Sequence, residues 1–205
     1  MEIIKVKNGM LSTNTYLIGE LNEWCYVIDP SDEYKRIKNV IETKFGNKIK
    51  AILLTHGHLD HIGSVDKLVS DYKCEVYLSD KDKIYVDGSL EKYPNSLQEF
   101  NIKLNCETID AYFIKDKNII VYETPGHTPG SVCYYFVKEN VLFSGDTLFK
   151  SGAGRCDLTG GSERDLINSL RILKKLDDSI VVLCGHEGDT TIGIEKRQNP
   201  YMMYI

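Results

Sequence analysis

Four side chains of metal-ligand type stand within six residues in His56-Gly57-His58-Leu59-Asp60-His61. Imidazole and carboxylate suit a borderline divalent ion, and three or four of them complete one coordination sphere. A lone histidine is more often a surface or satisfied core residue, but four ligand types this close point to metal. Alternate residues of an extended chain face the same way, which predicts that His56, His58 and Asp60 converge. His61 is then expected to start the turn into the following helix. Gly57 would permit an unusual backbone angle between the first two histidines.

The remaining histidines stand in comparable places. His127 lies in Thr124-Pro125-Gly126-His127-Thr128-Pro129-Gly130, and His186 in Cys184-Gly185-His186-Glu187-Gly188. Asp146 follows the apolar run Val141-Leu142-Phe143-Ser144-Gly145. A carboxylate at the end of a buried strand needs a partner, because burying it alone is costly. Five histidines and two aspartates are too many for one ion and a natural number for two. Two ions about 3.5–4 Å apart can lower the pKa of a shared water from about 16 toward about 7 and clamp charge on a substrate.

The elements that must position these residues follow from periodicity. Residues 2–7, 14–19 and 23–29 read as strands. Residues 32–45 place Tyr34, Ile37, Val40, Ile41 and Phe45 at helical spacing. A buried strand over 51–55 runs into the histidine loop, followed by a helix over 62–72 and a strand over 74–78. Residues 79–106 look polar and irregular. Strands return at 118–124, 131–137 and 140–145. Ser162 with Asp165 resembles a capping box opening a helix whose face is Leu166, Ile167, Leu170, Leu173 and Leu176. A last strand covers 180–185, and a short helix over 191–199 is expected to stop at Pro200. The order suggests two similar halves, each laying a helix over its sheet, within one domain spanning 1–205.

Composition narrows the function class. Lys and Arg number 25 against 30 Asp and Glu, a net charge of −5 without a basic run, so nucleic acid is not an expected partner. No apolar stretch reaches the length of a membrane span. The N-terminus alternates like a strand instead of carrying an export signal, and the six cysteines are scattered singly, so a cytoplasmic setting with reduced structural thiols is expected. Cys156 stands apart because it lies in a Gly-rich loop.

The HxHxDH loop, Gly-His-Thr-Pro-Gly-Ser at 126–131, Gly-Asp-Thr-Leu-Phe at 145–149 followed by Gly-Ala-Gly-Arg at 152–155, and Gly-His-Glu at 185–187 cover nearly the whole chain. Together they resemble the metallo-β-lactamase superfamily and, within it, the short glyoxalase II-like (hydroxyacylglutathione hydrolase-like) enzymes. The resemblance implies an α/β (α+β) fold, an αββα sandwich. It implies a first metal on His56, His58 and His127, a second on Asp60, His61 and His186, and Asp146 bridging both. Zinc is the first choice of ion, with iron or manganese also suited. The implied reaction is hydrolysis of an acyl thioester, such as a hydroxyacylglutathione, by a metal-bridging hydroxide. Asp60 and Asp146 would be the catalytic carboxylates, Asp60 orienting the hydroxide.

Arg155 falls where such enzymes carry a basic residue that meets the substrate, a small molecule. Asp157 would pair with Arg155 or with a ligand histidine. Phe149 and Tyr93 could wall the pocket or simply pack, and 87–104 is expected to form a lid. Full-length glyoxalase II grips glutathione with a helical C-terminal domain, whereas only 19 residues follow His186 here (205 − 186). Lys196, Arg197 and Asn199 are available to replace it in part, or simply form a solvated helix end. Alternatives are a mononuclear iron enzyme of the persulfide dioxygenase type, using His56, His127 and Asp146, or hydrolysis of another ester or lactone. True β-lactamases of this fold place cysteine or serine where this chain has Asp146, which argues against β-lactams as the primary substrate.

Overall fold

Three strands rich in β-branched residues open the chain as a meander: β1 (Glu2–Asn8), β2 (Thr13–Glu20) and β3 (Trp24–Ile28), each antiparallel to the next. The computed structural model describes residues 1–8, 11–88 and 103–205. It divides into two compact units, residues 1–113 and 114–205, each with its own five-stranded sheet.

In the first unit, β4 (Ile49–Leu53) and β5 (Glu75–Tyr77) extend the sheet in parallel, giving the order β1-β2-β3-β4-β5. Parallel neighbours need a crossover. Helix α1 (Tyr34–Lys44) supplies it between β3 and β4. The short α2 (Leu59–Ile62) and α3 (Val65–Tyr72) supply it between β4 and β5. The apolar face predicted for α1 is the one buried. Ile37, Ile41 and the adjoining Phe45 are inaccessible and pack with Leu17, Val27, Ile52, Val65 and Leu68, while Tyr34 and Val40 flank them. Each such side chain contributes about 1.5–3 kcal/mol of hydrophobic stabilisation.

Two expectations for this unit need correction. The strand before the histidine loop ends at Leu53, and helix begins at Leu59 instead of residue 62. His61 N–H already donates to His58 O at 3.0 Å, so Asp60 stands on a helical turn and not on extended chain. The stretch expected to be irregular carries a 3₁₀ helix over Asp80–Tyr85, where Ser79 Oγ accepts from Lys81 N–H at 3.4 Å.

The second unit repeats the plan without repeating the sequence. Strands β6 (Ile119–Glu123), β7 (Val132–Phe136) and β8 (Val141–Gly145) form an antiparallel meander. Helix α4 (Glu163–Leu173) then crosses over to β11 (Val181–Cys184), which is parallel to β8. A last strand, β12 (Thr190–Thr191), returns antiparallel, giving the order β12-β11-β8-β7-β6. Between β8 and α4 sits the hairpin of β9 (Leu148–Phe149) and β10 (Gly152–Ala153), whose two-residue strands are too short for any periodicity to betray.

Ser162 caps α4 as predicted, its Oγ accepting from Asp165 N–H at 3.2 Å. Leu166, Leu170 and Leu173 are buried with Ile180, Val182 and Ile192, whereas Leu176 only flanks that core. Helix α5 (Ile192–Gln198) ends at Asn199, but Pro200 does more than stop it. Proline opens a further turn, α6 (Pro200–Met203), at the position where its missing N–H is harmless.

Candidate metal centre

In the first unit a buried carboxylate at the end of β3 braces the histidine loop. Asp29 ends β3 with only 2% of its surface accessible. It accepts from Thr55 N–H (2.8 Å, Oδ1), Thr55 Oγ1–H (2.7 Å, Oδ2) and His61 Nδ1 (3.0 Å, Oδ2). These bonds fix the tautomers. An ionised carboxylate only accepts, so Nδ1 of His61 carries the proton and Nε2 keeps its lone pair. Thr55 gives its one hydroxyl hydrogen to Asp29, so its oxygen can only accept from Nδ1 of His56, 3.1 Å away. His56 Nε2 is therefore also left with a lone pair.

The same loop packs its rings together: His56 lies 4.8 Å from His58 and 4.1 Å from His61, centroid to centroid. Tyr85 meets His58 edge-on at 5.1 Å. Buried Asp82 accepts from Gly57 N–H at 3.0 Å. Gly57 is needed for space, since a Cβ there would lie 3.0 Å from both Asp82 O and Tyr85 Cβ. The unusual backbone angle expected for it is not found; its φ is not positive.

Asp60 accepts from Thr13 Oγ1–H at 2.7 Å through Oδ2, and the same oxygen stands 3.3 Å from His61 Nε2. Both atoms present lone pairs, an arrangement that a cation relieves.

In the second unit a backbone carbonyl does the orienting. His127 Nδ1 lies 2.6 Å from Arg155 O, which only accepts, so Nε2 is again the lone-pair atom. That nitrogen stands 3.5 Å from Asp146 Oδ2, and His186 Nε2 stands 3.4 Å from the same oxygen. Two donors about 2.1 Å from one ion at a tetrahedral angle are about 3.4 Å apart. The donor types, the spacings within each unit, and the tautomers of His56, His61 and His127 thus fit divalent metal. Gly154 lets the loop close on these residues, because a Cβ there would fall 1.8 Å from Asp146 O and 3.2 Å from His127 Nδ1.

The surrounding predictions divide. Arg155 and Asp157 form a bidentate pair, Nε–Oδ1 2.7 Å and NH2–Oδ2 2.8 Å, and the guanidinium holds the Asp157 carboxyl at about 2. Of the two partners predicted for Asp157, arginine is the one found, and it is the Arg155 backbone that braces the histidine. Phe149 packs edge-on against His186 at 5.9 Å as well as flanking the second core.

Lys196 and Arg197 are ion-paired at the helix end. Lys196 Nζ donates to Leu176 O (2.7 Å) and Asp178 Oδ1 (2.6 Å), Arg197 reaches Asp178 Oδ2 (3.4 Å), and Asn199 is buried. Tyr93 and residues 89–102 of the expected lid lie outside the described residues. The six cysteines are free thiols, and burial pushes Cys25 and Cys184 up to about 12. Cys156 is half-buried against the second core. Among the described residues no helix is long and apolar enough to cross a membrane.

Asp29 and Asp82 escaped the sequence reading. Asp29 had a signal, since it ends the apolar run Trp24–Ile28 just as Asp146 ends its own. Asp82 had none, lying in a polar stretch like any solvated carboxylate.

Residues 8–186 match the family model for the metallo-beta-lactamase superfamily. The chain belongs to that superfamily. Among its relatives, the hydroxyacylglutathione hydrolase GloC of Haemophilus influenzae is 35% identical, the match covering 98% of this chain and 97% of GloC. The fold is that of solved superfamily members. A crystal structure of TTHA1623 in a di-iron-bound form is 34% identical at a TM-score of 0.84, covering 97% of this chain and 99% of that one. The BLEG-1 B3 metallo-beta-lactamase is 30% identical at a TM-score of 0.82, covering 98% and 99%. As a superfamily member, the chain carries His and Asp clusters suited to metal and falls among enzymes that are mostly hydrolases.

Proposed function

We propose that the protein is a binuclear metal-dependent hydrolase that cleaves an acyl thioester such as a hydroxyacylglutathione. The observation that carries this reading is the 35% identity to GloC across nearly the whole of both chains. His56, His58 and His127 would hold the first ion, Asp60, His61 and His186 the second, and Asp146 would bridge them, so that residues 1–205 act as one catalytic domain. Two divalent ions, zinc first and iron or manganese also suited, would supply the acidity that yields hydroxide at neutral pH and neutralises charge on the acyl oxygen.

The chain's own residues do the positioning. Asp29, Thr55 and the Arg155 carbonyl hold the Nδ1 protons of His61, His56 and His127, so that in the neutral rings Nε2 keeps the lone pair a metal needs. Asp60, steadied by Thr13, would orient the attacking water and take its proton. Arg155 would meet an anionic end of the substrate by exchanging the Asp157 carboxylate for the substrate's. The proposed partner is a small molecule in a cytoplasmic setting; a net charge of −5 without a basic run disfavours nucleic acid.

The test is metal analysis of the purified protein followed by assay of a hydroxyacylglutathione. About two ions per chain and hydrolysis that chelation abolishes are the expected results. One ion, with full activity after loss of His61, overturns the binuclear reading. Oxygen uptake with glutathione persulfide and no thioester hydrolysis would favour the mononuclear iron alternative instead. The likeness to BLEG-1 makes a chromogenic β-lactam the second substrate to assay; Asp146 predicts turnover well below that of the thioester.

A further inference from the structure

Residues 187–205 lie beyond the part of the chain that the family model matches, yet they contain a fully buried carboxylate. Glu195 Oε2 accepts from Ser151 N–H and Asn199 Nδ2–H, both at 2.8 Å, and Oε1 accepts from Thr190 Oγ1–H at 2.6 Å. All three donors are neutral. Asn199, also fully buried, passes the grip on by donating from Nδ2 to Gly152 O (2.9 Å) and Phe149 O (3.4 Å). A packing role alone would be filled more cheaply by leucine, since burying a carboxylate without a cation is expensive.

What the pair holds is the β9–β10 turn. Ser151 sits there at φ +62°, a conformation most side chains avoid, with its amide pinned by Glu195. The hairpin is joined at both ends to the candidate ligands of the second unit. Phe149 packs its ring on His186, and two residues past β10 the Arg155 carbonyl accepts from His127. We infer that Glu195 and Asn199 are positioning residues for the metal centre: they fix the β9–β10 hairpin, and through it the rings of His186 and His127. The inference rests on the proposed metal-binding reading.

The probe is zinc alone, its affinity read by competition with a chromophoric chelator, with thermal unfolding of apo-protein measured in parallel. Glu195→Leu is expected to weaken zinc binding about tenfold, the lower end of what loss of an outer support costs. Glu195→Gln should restore it, because an amide oxygen can serve Ser151 and Asn199 while the Thr190 hydroxyl turns to accept. Asn199→Ser keeps a cap for α6 but cannot reach Gly152, and should shift affinity in the same direction even if Glu195→Leu fails to fold. A merely structural role would lower the melting temperature of these variants and leave zinc affinity where it was. That result overturns this inference and leaves the metal reading standing. Wild-type protein that retains none of zinc, iron or manganese overturns both.

Discussion

Asp29 and Asp146 occupy equivalent places in the two halves, each ending the third strand of a meander, and they do different work. Asp29 gives its oxygens to two donors from Thr55 and one from His61, so it holds a ligand without being offered as one. Asp146 Oδ2 faces two imidazole nitrogens at 3.4 and 3.5 Å. A strand-end carboxylate in this plan can therefore brace or bind, and its hydrogen-bond donors decide which. His56 after β4 and His186 after β11 are a second equivalent pair. The first is oriented by a hydroxyl, the second packed by an aromatic ring.

The contrast breaks first on Asp146. Asp146→Ala should lower thioester hydrolysis by about a thousandfold, about 4 kcal/mol of lost transition-state stabilisation, with little change in the apo-protein's melting temperature. An equal loss of apo stability would mean that Asp146 braces as well. Asp29→Ala, by contrast, should cost the apo-protein stability. It leaves buried donors on Thr55 and His61 without their acceptor, so urea denaturation of apo-protein should show a loss of about 3 kcal/mol. Unchanged stability in that variant would remove the distinction between the two carboxylates.

Cys25 in the first half and Cys184 in the second are both pushed up to about 12 by burial, so native protein at pH 8 should leave both unmodified by a thiol reagent until denatured. Mass mapping that finds one modified early would identify the half that opens more readily. The smallest effect is at the surface pair. Asp157 is depressed to about 2, so its contribution is complete above the ordinary carboxylate range and is lost only as pH falls through about 2. Both partners are exposed, so global stability should hardly register this. Carboxyl NMR should find Asp157 titrating near 2, and Arg155→Ala should return it toward the usual value.

The sequence showed most of this plan wherever a pattern was long enough to repeat. The apolar face of α1, the Ser162 cap, the five strands of the first half and the four longer strands of the second were legible from periodicity and punctuation, whereas two-residue β12 was not. The seven candidate ligands could be nominated because four crowd into one six-residue stretch and the other three stand just past strand-like apolar runs. The turn carrying Asp60 was misread as extended, since six residues between a strand and a helix carry no period that says which element owns them. The β9–β10 hairpin and the buried bonds of Asp82, Glu195 and Asn199 had no local signature. Their meaning depends on backbone groups up to 50 residues away, as in Asn199 and Phe149.

The spacing of the candidate ligands has a consequence for unfolded protein. His56, His58, Asp60 and His61 share one six-residue stretch, whereas His127, Asp146 and His186 are separated by 19 and 40 residues (146 − 127 and 186 − 146). A denatured chain already keeps the first group within reach of one another, while the second group meets only when β8 and β11 have paired. An ion that clings to the denatured chain stabilises it too, and subtracts from what metal adds to the native state. Heat resistance conferred by metal should therefore report the far-apart trio more faithfully than the histidine-rich loop.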